Sequence, residues 1–276
     1  MLEGCCRSEP YIRSVAHHQF KLLMPSQVVL VTGASRGIGL AVAQELLRQG
    51  HQVAAFARTK TPELKAIIES NPHNCTLIEG DLVSLDSGAG AISLAVAHFG
   101  RLDALVLNGA APGPFSFVRD LSDKDIEDTF CANVFSVFSF VRSAIPELRK
   151  THGRVIFLSS ALAVGGPGVS VYCATKSASN ALISSVAQEE REVTFLSVDP
   201  GLVETRMATQ YAEGTARLFT PGKLSPEVTQ AAFKSYTADA VAVNLVALAL
   251  KAPKASSGRL ISWNGKEAEA ASKNTV

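Results

Sequence analysis

The feature that most constrains the fold of this chain is a glycine-rich turn, TGASRGIG, at residues 32–39. An apolar, β-branched run (QVVLVT, residues 27–32) precedes it, and a segment with apolar residues at helical spacing follows it. In a strand–turn–helix unit, backbone N–H groups and a helix N-terminus can approach a pyrophosphate without a Cβ in the way. An ordinary strand-to-helix loop is the alternative. The candidate cofactor-binding residues in this turn are Gly33, Ser35, Arg36, Gly37, Ile38 and Gly39.

Six further apolar runs alternate with helical patterns along the chain: QVAAFA, CTLIEG, DALVLN, GRVIFLSS, VTFLSV and RLISW. Strands that are apolar almost throughout indicate a parallel sheet buried on both faces. The right-handed crossover rule then predicts an α/β fold, a doubly wound sheet of Rossmann type with about seven strands. No linker divides the chain, so we expect a single domain over residues 25–276. Residues 1–24 extend no strand or helix pattern and are predicted to be a disordered N-terminal extension.

A second pattern, YCATK, places Tyr172 and Lys176 four residues apart. On a helix this spacing puts both side chains on one face. An unperturbed phenol has a pKa of about 10, and a neighbouring cation favours its ionised form. We therefore expect Lys176 to lower the pKa of Tyr172 toward the range in which a general acid is efficient. A tyrosine and a lysine at this spacing also occur by chance. Here they lie downstream of the glycine turn, and this order along the chain supports a catalytic role.

Together these motifs resemble the short-chain dehydrogenase/reductase family, from about residue 27 to residue 263. The resemblance implies a nicotinamide cofactor, with Tyr172 as the acid and Lys176 as its partner. It further implies that Asn133, in CANVFSVF, supports a proton-relay water. One departure is the order Asn108-Gly109-Ala110, where the family has Asn-Ala-Gly. The remaining cofactor-binding residues that the resemblance implies are Asp81, Asn108, Pro200, Val203 and Thr205.

The resemblance also implies a serine that binds the substrate carbonyl, and two neighbours compete for this role. Strand register favours Ser160, whereas the family's usual spacing between serine and tyrosine fits Ser159. Because neighbouring side chains on a strand point to opposite faces, only one of them can face the cofactor. We predict Ser160. Alternatively, the two hydroxyls only cap the end of a strand.

Two arginines indicate which dinucleotide binds. An enzyme that prefers NAD usually carries an acidic residue about twenty residues after the glycines, but this neighbourhood offers Ala57 and Arg58. A 2′-phosphate needs cations, and Arg36 and Arg58 supply them, so we predict NADP(H). The alternative is that both are ordinary surface charges.

The segment 205–228 is predicted to be a substrate lid, with Tyr211, Leu218 and Phe219 either lining an apolar pocket or packing the lid onto the sheet. Residues 28–39, 144–160, 186–207 and 260–269 are similar to fungal benzil reductases, a subgroup related to sepiapterin reductase. This resemblance implies NADPH-dependent reduction of a ketone, such as an aromatic 1,2-diketone to a hydroxyketone. The alternatives are an alcohol dehydrogenase that works in the oxidative direction and a non-catalytic NADP-sensing protein.

Composition limits the other partners. The formal net charge is +1 without a basic stripe, so nucleic acid is not expected. No apolar stretch appears long enough for a membrane helix, and the cysteines and histidines show no zinc spacing, so we predict no membrane and no metal. The five cysteines form no disulfide pattern, which favours a reducing, cytoplasmic setting. Apolar residues on several faces of the helices near 123–150 and 172–191 predict a homodimer or homotetramer; they include Val134, Phe135, Val137, Phe138 and Phe140. The alternative is that the same residues are buried within a monomer.

Overall fold

The structure is a computed structural model that describes residues 25–218 and 235–273. Seven parallel strands form its main sheet, in the order β3-β2-β1-β4-β5-β6-β9. These strands are β1 Val28–Thr32, β2 Gln52–Ala57, β3 Cys75–Glu79, β4 Ala104–Leu107, β5 Arg154–Leu158, β6 Thr194–Asp199 and β9 Leu260–Ser262. A separate parallel pair consists of β7 (Leu202–Val203) and β8 (Ser235–Tyr236). The predicted doubly wound α/β fold is confirmed.

Helices cover both faces of the main sheet. In the described residues they are α1 Gly37–Arg48, α2 Pro62–Ser70, α3 Ser87–Phe99, α4 Asp123–Phe130, α5 Ser136–Thr151, α6 Ser170–Glu189, α7 Arg206–Leu218, α8 Ala238–Lys251 and α9 Lys266–Lys273. A π-helical segment, Cys131–Phe135, joins α4 to α5. The N-terminal extension and the lid residues after Leu218 lie outside the described residues, including Phe219.

Alternate residues of each central strand enter different cores. In β1, Val29 and Val31 pack with residues of α1, α2, α8 and α9, whereas Val28 and Leu30 pack with residues of α3, α5 and α6. All four side chains are fully buried. A parallel sheet with both faces covered leaves no polar face on its strands, which is why these strands appear in the sequence as continuous apolar runs.

The strand order reverses between β1 and β4, because the chain adds β2 and β3 on one side of β1 and β4 to β6 on the other. In open parallel sheets, ligands bind in the crevice outside the carboxyl ends of the strands at this switch point. The glycine turn follows β1, and Asn108 follows β4 directly. The fold therefore brings the candidate cofactor-binding segments to one edge of the sheet.

One helical run needs a correction to the sequence-based prediction about membranes. By length and composition, Asp123–Thr151 is the one described helix that passes the test for a membrane span. The sequence prediction missed it because α4, the π-helical segment and α5 form one continuous run. More than half of its apolar window is buried inside the protein, and a buried core helix passes the same test.

Candidate active site

The glycine turn is held against the segment that follows β4. Gly33 has a φ of +67°, a conformation that favours glycine, and a Cβ added there would lie 2.8 Å from Gly109 Cα. Asn108 Nδ2 donates to the carbonyl oxygens of Thr32 (3.0 Å) and Gly33 (3.2 Å), and Gly109 N donates to Thr32 Oγ1 (3.0 Å). A Cβ on Gly39 would lie 2.4 Å from the Gly33 oxygen. The turn therefore has no space for side chains at these glycines.

The N-terminus of α1 is suited to an anion. Its N-cap residue, Arg36, has extended backbone angles and provides no side-chain cap, and the first turn carries no acidic residue. The first N–H groups of a helix have no partner within the helix, and the helix dipole favours negative charge near them. Ser35 and Ile38 flank this point and are half-buried. The uncapped end beside the crowded glycine turn fits the pyrophosphate of a dinucleotide.

Arg58 and Asp81 lie together at the far side of the crevice. Arg58 Nη1 is 3.7 Å from Asp81 Oδ2, and their side chains are 72% and 42% exposed. An exposed pair of this kind contributes little stability, so its partners can rearrange around a ligand. Arg36 is also exposed.

The two candidate serines differ in their contacts. The Ser160 hydroxyl lies near enough to the Tyr172 phenol to lower its pKa, and it accepts a hydrogen bond from Leu162 N at 3.1 Å. The Ser159 side chain is only 3% exposed, and its hydroxyl has no hydrogen-bond partner in the described part of the chain. The structure therefore brings Ser160, and not Ser159, to the tyrosine.

Lys176 lies beneath Tyr172 in the protein interior. Its ammonium donates to the Leu158 oxygen at 2.6 Å and lies 5.6 Å from the centre of the Tyr172 ring. Burial lowers the pKa of Lys176 to about 7. Burial also raises the pKa of Tyr172 to about 12, against the opposing effect of the Ser160 hydroxyl, and Cys173 and Asp199 add to the rise. The expected lowering of the Tyr172 pKa by Lys176 is thus absent from the protein by itself, because desolvation dominates both groups.

Asn133 lies in the π-helical segment and is 2% exposed. Its Oδ1 accepts from Ala111 N at 2.7 Å, and its Nδ2 donates to Ala111 O at 2.9 Å and to Thr175 Oγ1 at 3.1 Å. Thr175 in turn donates to the Tyr172 carbonyl oxygen. The amide thus ties the segment after β4 to the helix that carries the tyrosine. Its side chain makes three hydrogen bonds to Ala111 and Thr175, which leaves one acceptor position on Oδ1 for a relay water. Single-turn π-helical segments occur often at functional sites, but the sequence analysis did not predict this one.

Residues 200–205, here called the clamp, follow β6 and match the segment that holds the nicotinamide in the family that the sequence resembles. Pro200 is buried, and Gly201 has a φ of +66°. Val203 is buried and pairs with Tyr236 of β8. Thr205 packs against the glycine turn, since a Cβ added to Gly37 would lie 3.2 Å from Thr205 Cγ2. The clamp segment therefore closes over the same crevice as the glycine turn.

The described part of the lid packs on the loops beside the site. Tyr211 of α7 meets Phe115 edge to face, with ring centroids 6.3 Å apart. Gly214 lies so close to the Phe115 ring that an added Cβ would be 2.1 Å away, and a Cβ on Gly168 would lie 2.5 Å from Leu218. Tyr211 and Leu218 thus contact the loops beside the site. The sequence analysis missed Phe115, for which the only signal is an aromatic residue in the loop after β4.

Comparison with known proteins agrees with this geometry. The model of the family described as short chain dehydrogenase matches residues 27–216. An uncharacterized oxidoreductase of Schizosaccharomyces pombe is 37% identical over 182 residues, which cover 66% of this chain and 72% of that protein.

Two solved structures are similar over nearly their whole length. A short chain dehydrogenase/reductase from Saccharomyces cerevisiae has a TM-score of 0.81 at 27% identity, covering 89% of this chain and 99% of the other. A short chain dehydrogenase from Burkholderia cenocepacia, in complex with NADP, has a TM-score of 0.73 at 27% identity, covering 86% and 95%. Since the family match spans more than half of the chain, this protein belongs to the short chain dehydrogenase family and is an oxidoreductase that uses a nicotinamide dinucleotide.

Proposed function

We propose that this protein is an NADPH-dependent carbonyl reductase. The observation that carries the proposal is the placement of Tyr172 beside the Ser160 hydroxyl and above the buried ammonium of Lys176, 5.6 Å from the ring centre. Ser160 follows β5, at the edge of the sheet that also holds the glycine turn, and Tyr172 lies in the first turn of α6. Two hydroxyl donors beside a dinucleotide site suit a reaction in which negative charge develops on a carbonyl oxygen.

The choice of NADPH over NADH depends on charge. Arg58 directly follows β2, where an enzyme that prefers NAD usually carries an acidic residue for the ribose hydroxyl. Its contact with Asp81 is long and exposed, so the guanidinium can turn to a 2′-phosphate. Arg36 adds a second exposed cation at the same edge. The similar Burkholderia protein that was solved with NADP supports this assignment.

Each residue of the proposed reaction has a distinct task. A bound NADPH supplies the hydride to the carbonyl carbon. Ser160 holds the carbonyl oxygen, and Tyr172 gives it a proton, so that a ketone becomes an alcohol. Burial raises the pKa of Tyr172 to about 12, so the phenol holds at neutral pH the proton that it would donate. Lys176, with a pKa near 7, is a group that can return a proton to the phenol at neutral pH.

The substrate is proposed to be a ketone with aromatic groups, such as the 1,2-diketone benzil, which would give a hydroxyketone. Phe115 and Tyr211 place two aromatic rings in contact beside the loop that leads to the tyrosine helix. Aromatic pairs of this kind provide large apolar contact surfaces. A cytoplasmic location remains a prediction, and the three described cysteines are free thiols, as a reducing compartment would leave them.

The test is NADPH oxidation, followed by absorbance, with benzil, other aromatic diketones and sepiapterin. We expect turnover with a preference for NADPH over NADH, and loss of turnover in Tyr172→Phe. Arg58→Ala should weaken NADPH binding and leave NADH binding unchanged. Phe115→Ala should raise KM for aromatic ketones more than for small aliphatic ones. Tight NADPH binding without turnover of any carbonyl compound would contradict the reductase and favour the NADP-sensing alternative.

A further inference from the structure

Asp199, the last residue of β6, connects two parts of the candidate active site that are distant in sequence. Its Oδ1 atom accepts a hydrogen bond from the backbone N–H of Ala161 at 3.1 Å and another from Gly201 at 3.0 Å. Ala161 directly follows Ser160, and Gly201 directly follows Pro200 of the clamp. A single carboxylate oxygen therefore holds the turn that carries the serine and the turn that begins the clamp.

The two turns that Asp199 joins differ in backbone conformation. Ser160 is extended and precedes a short 3-10 helix, Ala161–Val164, while Gly201 has a φ of +66°. Hydrogen bonds to an ionised acceptor are stronger than those between neutral groups. The backbone of Asp199 is fixed separately, by its pairing with Ser262 of β9. Its side chain can therefore act as a rigid support for both turns.

We propose that Asp199 is a positioning residue for the reaction, which fixes the Ser160 turn against the cofactor clamp and places a negative charge near the phenol of Tyr172. This inference rests on the proposed reductase function. The role is indirect, since Asp199 acts through Ala161 and Gly201 and not through contact with the substrate.

The charge of Asp199 acts on Tyr172 together with other groups that face the phenol. Lys176 lies 5.6 Å from the ring centre, the Ser160 hydroxyl lowers the pKa, and Cys173 raises it. Burial is the largest cause of the raised Tyr172 pKa, and the Asp199 carboxylate acts in the same direction. A negative charge disfavours the phenolate. Asp199 thus helps to keep Tyr172 in the protonated form that a reductase needs.

Two substitutions separate the anchoring role from the charge. In Asp199→Asn, the amide oxygen can still accept both hydrogen bonds, but the charge is lost. In Asp199→Ala, both the hydrogen bonds and the charge are lost. Asp239→Asn makes the same chemical change at an exposed position in the first turn of α8 and serves as the control.

The experiment measures the Kd for NADPH by fluorescence, together with kcat, KM and their pH dependence for a turned-over ketone. We expect Asp199→Ala to raise the Kd for NADPH and to lower kcat, each by about tenfold. Asp199→Asn should keep the Kd within about twofold, because its hydrogen bonds remain. In that variant the alkaline limb of the kcat profile should move to lower pH, because the phenol ionises more readily. Asp239→Asn should match the wild-type protein in all of these.

Two outcomes would overturn the inference. One is an Asp199→Ala variant with wild-type Kd and kcat. The other is an Asp199→Asn variant whose alkaline limb does not move, or whose Kd rises as far as that of the alanine variant. If the wild-type protein binds NADPH but reduces no carbonyl compound, the proposed function fails. The Kd comparison between the two variants then still decides whether Asp199 anchors the clamp.

Discussion

At the scale of single residues, Ser159 and Ser160 are neighbours at the end of one strand, but their hydroxyls have different contacts. Alternation along the strand directs them to opposite sides. Ser160 reaches Tyr172, whereas the Ser159 hydroxyl is buried without a partner among the described residues. A buried hydroxyl without a hydrogen bond costs free energy. Ser159 therefore does not serve stability through its hydroxyl, and Ser160 has the geometry for carbonyl binding.

This difference predicts opposite outcomes for two alanine substitutions. Ser160→Ala should lower kcat for ketone reduction by about 100-fold, since it removes a donor from the developing oxyanion. Ser159→Ala should keep kcat within about threefold and leave the melting temperature unchanged or higher, because it removes an unpaired polar group. Steady-state kinetics and thermal unfolding of both variants check this. Equal losses of kcat in the two variants would show that Ser159 also takes part.

At the scale of elements, the glycine turn and the segment after β4 form one packed unit. Gly33, Gly39 and Gly109 approach neighbouring backbone or side-chain atoms so closely that there is no space for a Cβ at the first two. At Gly109, the nearest atom to an added Cβ would be the end of the Leu82 side chain, at 2.9 Å. A flexible side chain can move away. The backbone nitrogen of Gly33 would also lie 3.2 Å from that Cβ, however, so glycine at position 109 suits this packing better than the alanine expected for the family.

The packing predicts a contrast between two Gly→Ala substitutions. Gly33→Ala should destabilise the protein by about 1–3 kcal/mol, from its positive φ alone, and should weaken NADPH binding. Gly90→Ala should stabilise it by about 0.5–1 kcal/mol, because Gly90 lies within α3 with no atom near an added Cβ. Denaturant unfolding and NADPH titration measure both effects. A Gly33→Ala variant with wild-type stability and affinity would contradict the close packing of the turn.

A helix or strand could be predicted from the sequence where its local residue pattern agrees with its surroundings in the folded protein. The central strands of the main sheet are buried on both faces, so their apolar runs are visible without any knowledge of their neighbours. The π-helical segment at Asn133 has no such local pattern. Its side-chain bonds join residues far apart in sequence, Ala111 and Thr175. Phe115 likewise becomes part of the site only through its contacts with Tyr211 and Gly214. Burial, which the sequence does not show, is the largest cause of the raised Tyr172 pKa in the protein by itself.

At the scale of the whole molecule, two helical layers cover the main sheet but leave apolar side chains on the outer surface. Along α5 and the π-helical segment before it, Val134, Val137 and Phe140 are buried. Phe135 and Phe138 are 46% and 52% exposed. The sequence analysis assigned all five to a face that partly serves association. In the structure, three of these side chains are buried in the core, and the two exposed phenylalanines can contact a second copy.

Exposed phenylalanines on a helix favour burial against another protein surface, and a two-fold axis would place the same patch from each copy together. We therefore expect a homodimer or homotetramer in solution, and we expect Phe138→Glu to lower its oligomeric state, because a charge in that contact would be desolvated. Light scattering coupled to size-exclusion chromatography measures this. Leu94→Glu, at an exposed leucine on α3, is the matched control and should keep the wild-type state. Dissociation by Leu94→Glu alone would show that the subunits contact each other through α3 instead. A wild-type protein that is monomeric at all concentrations would contradict the prediction of an oligomer.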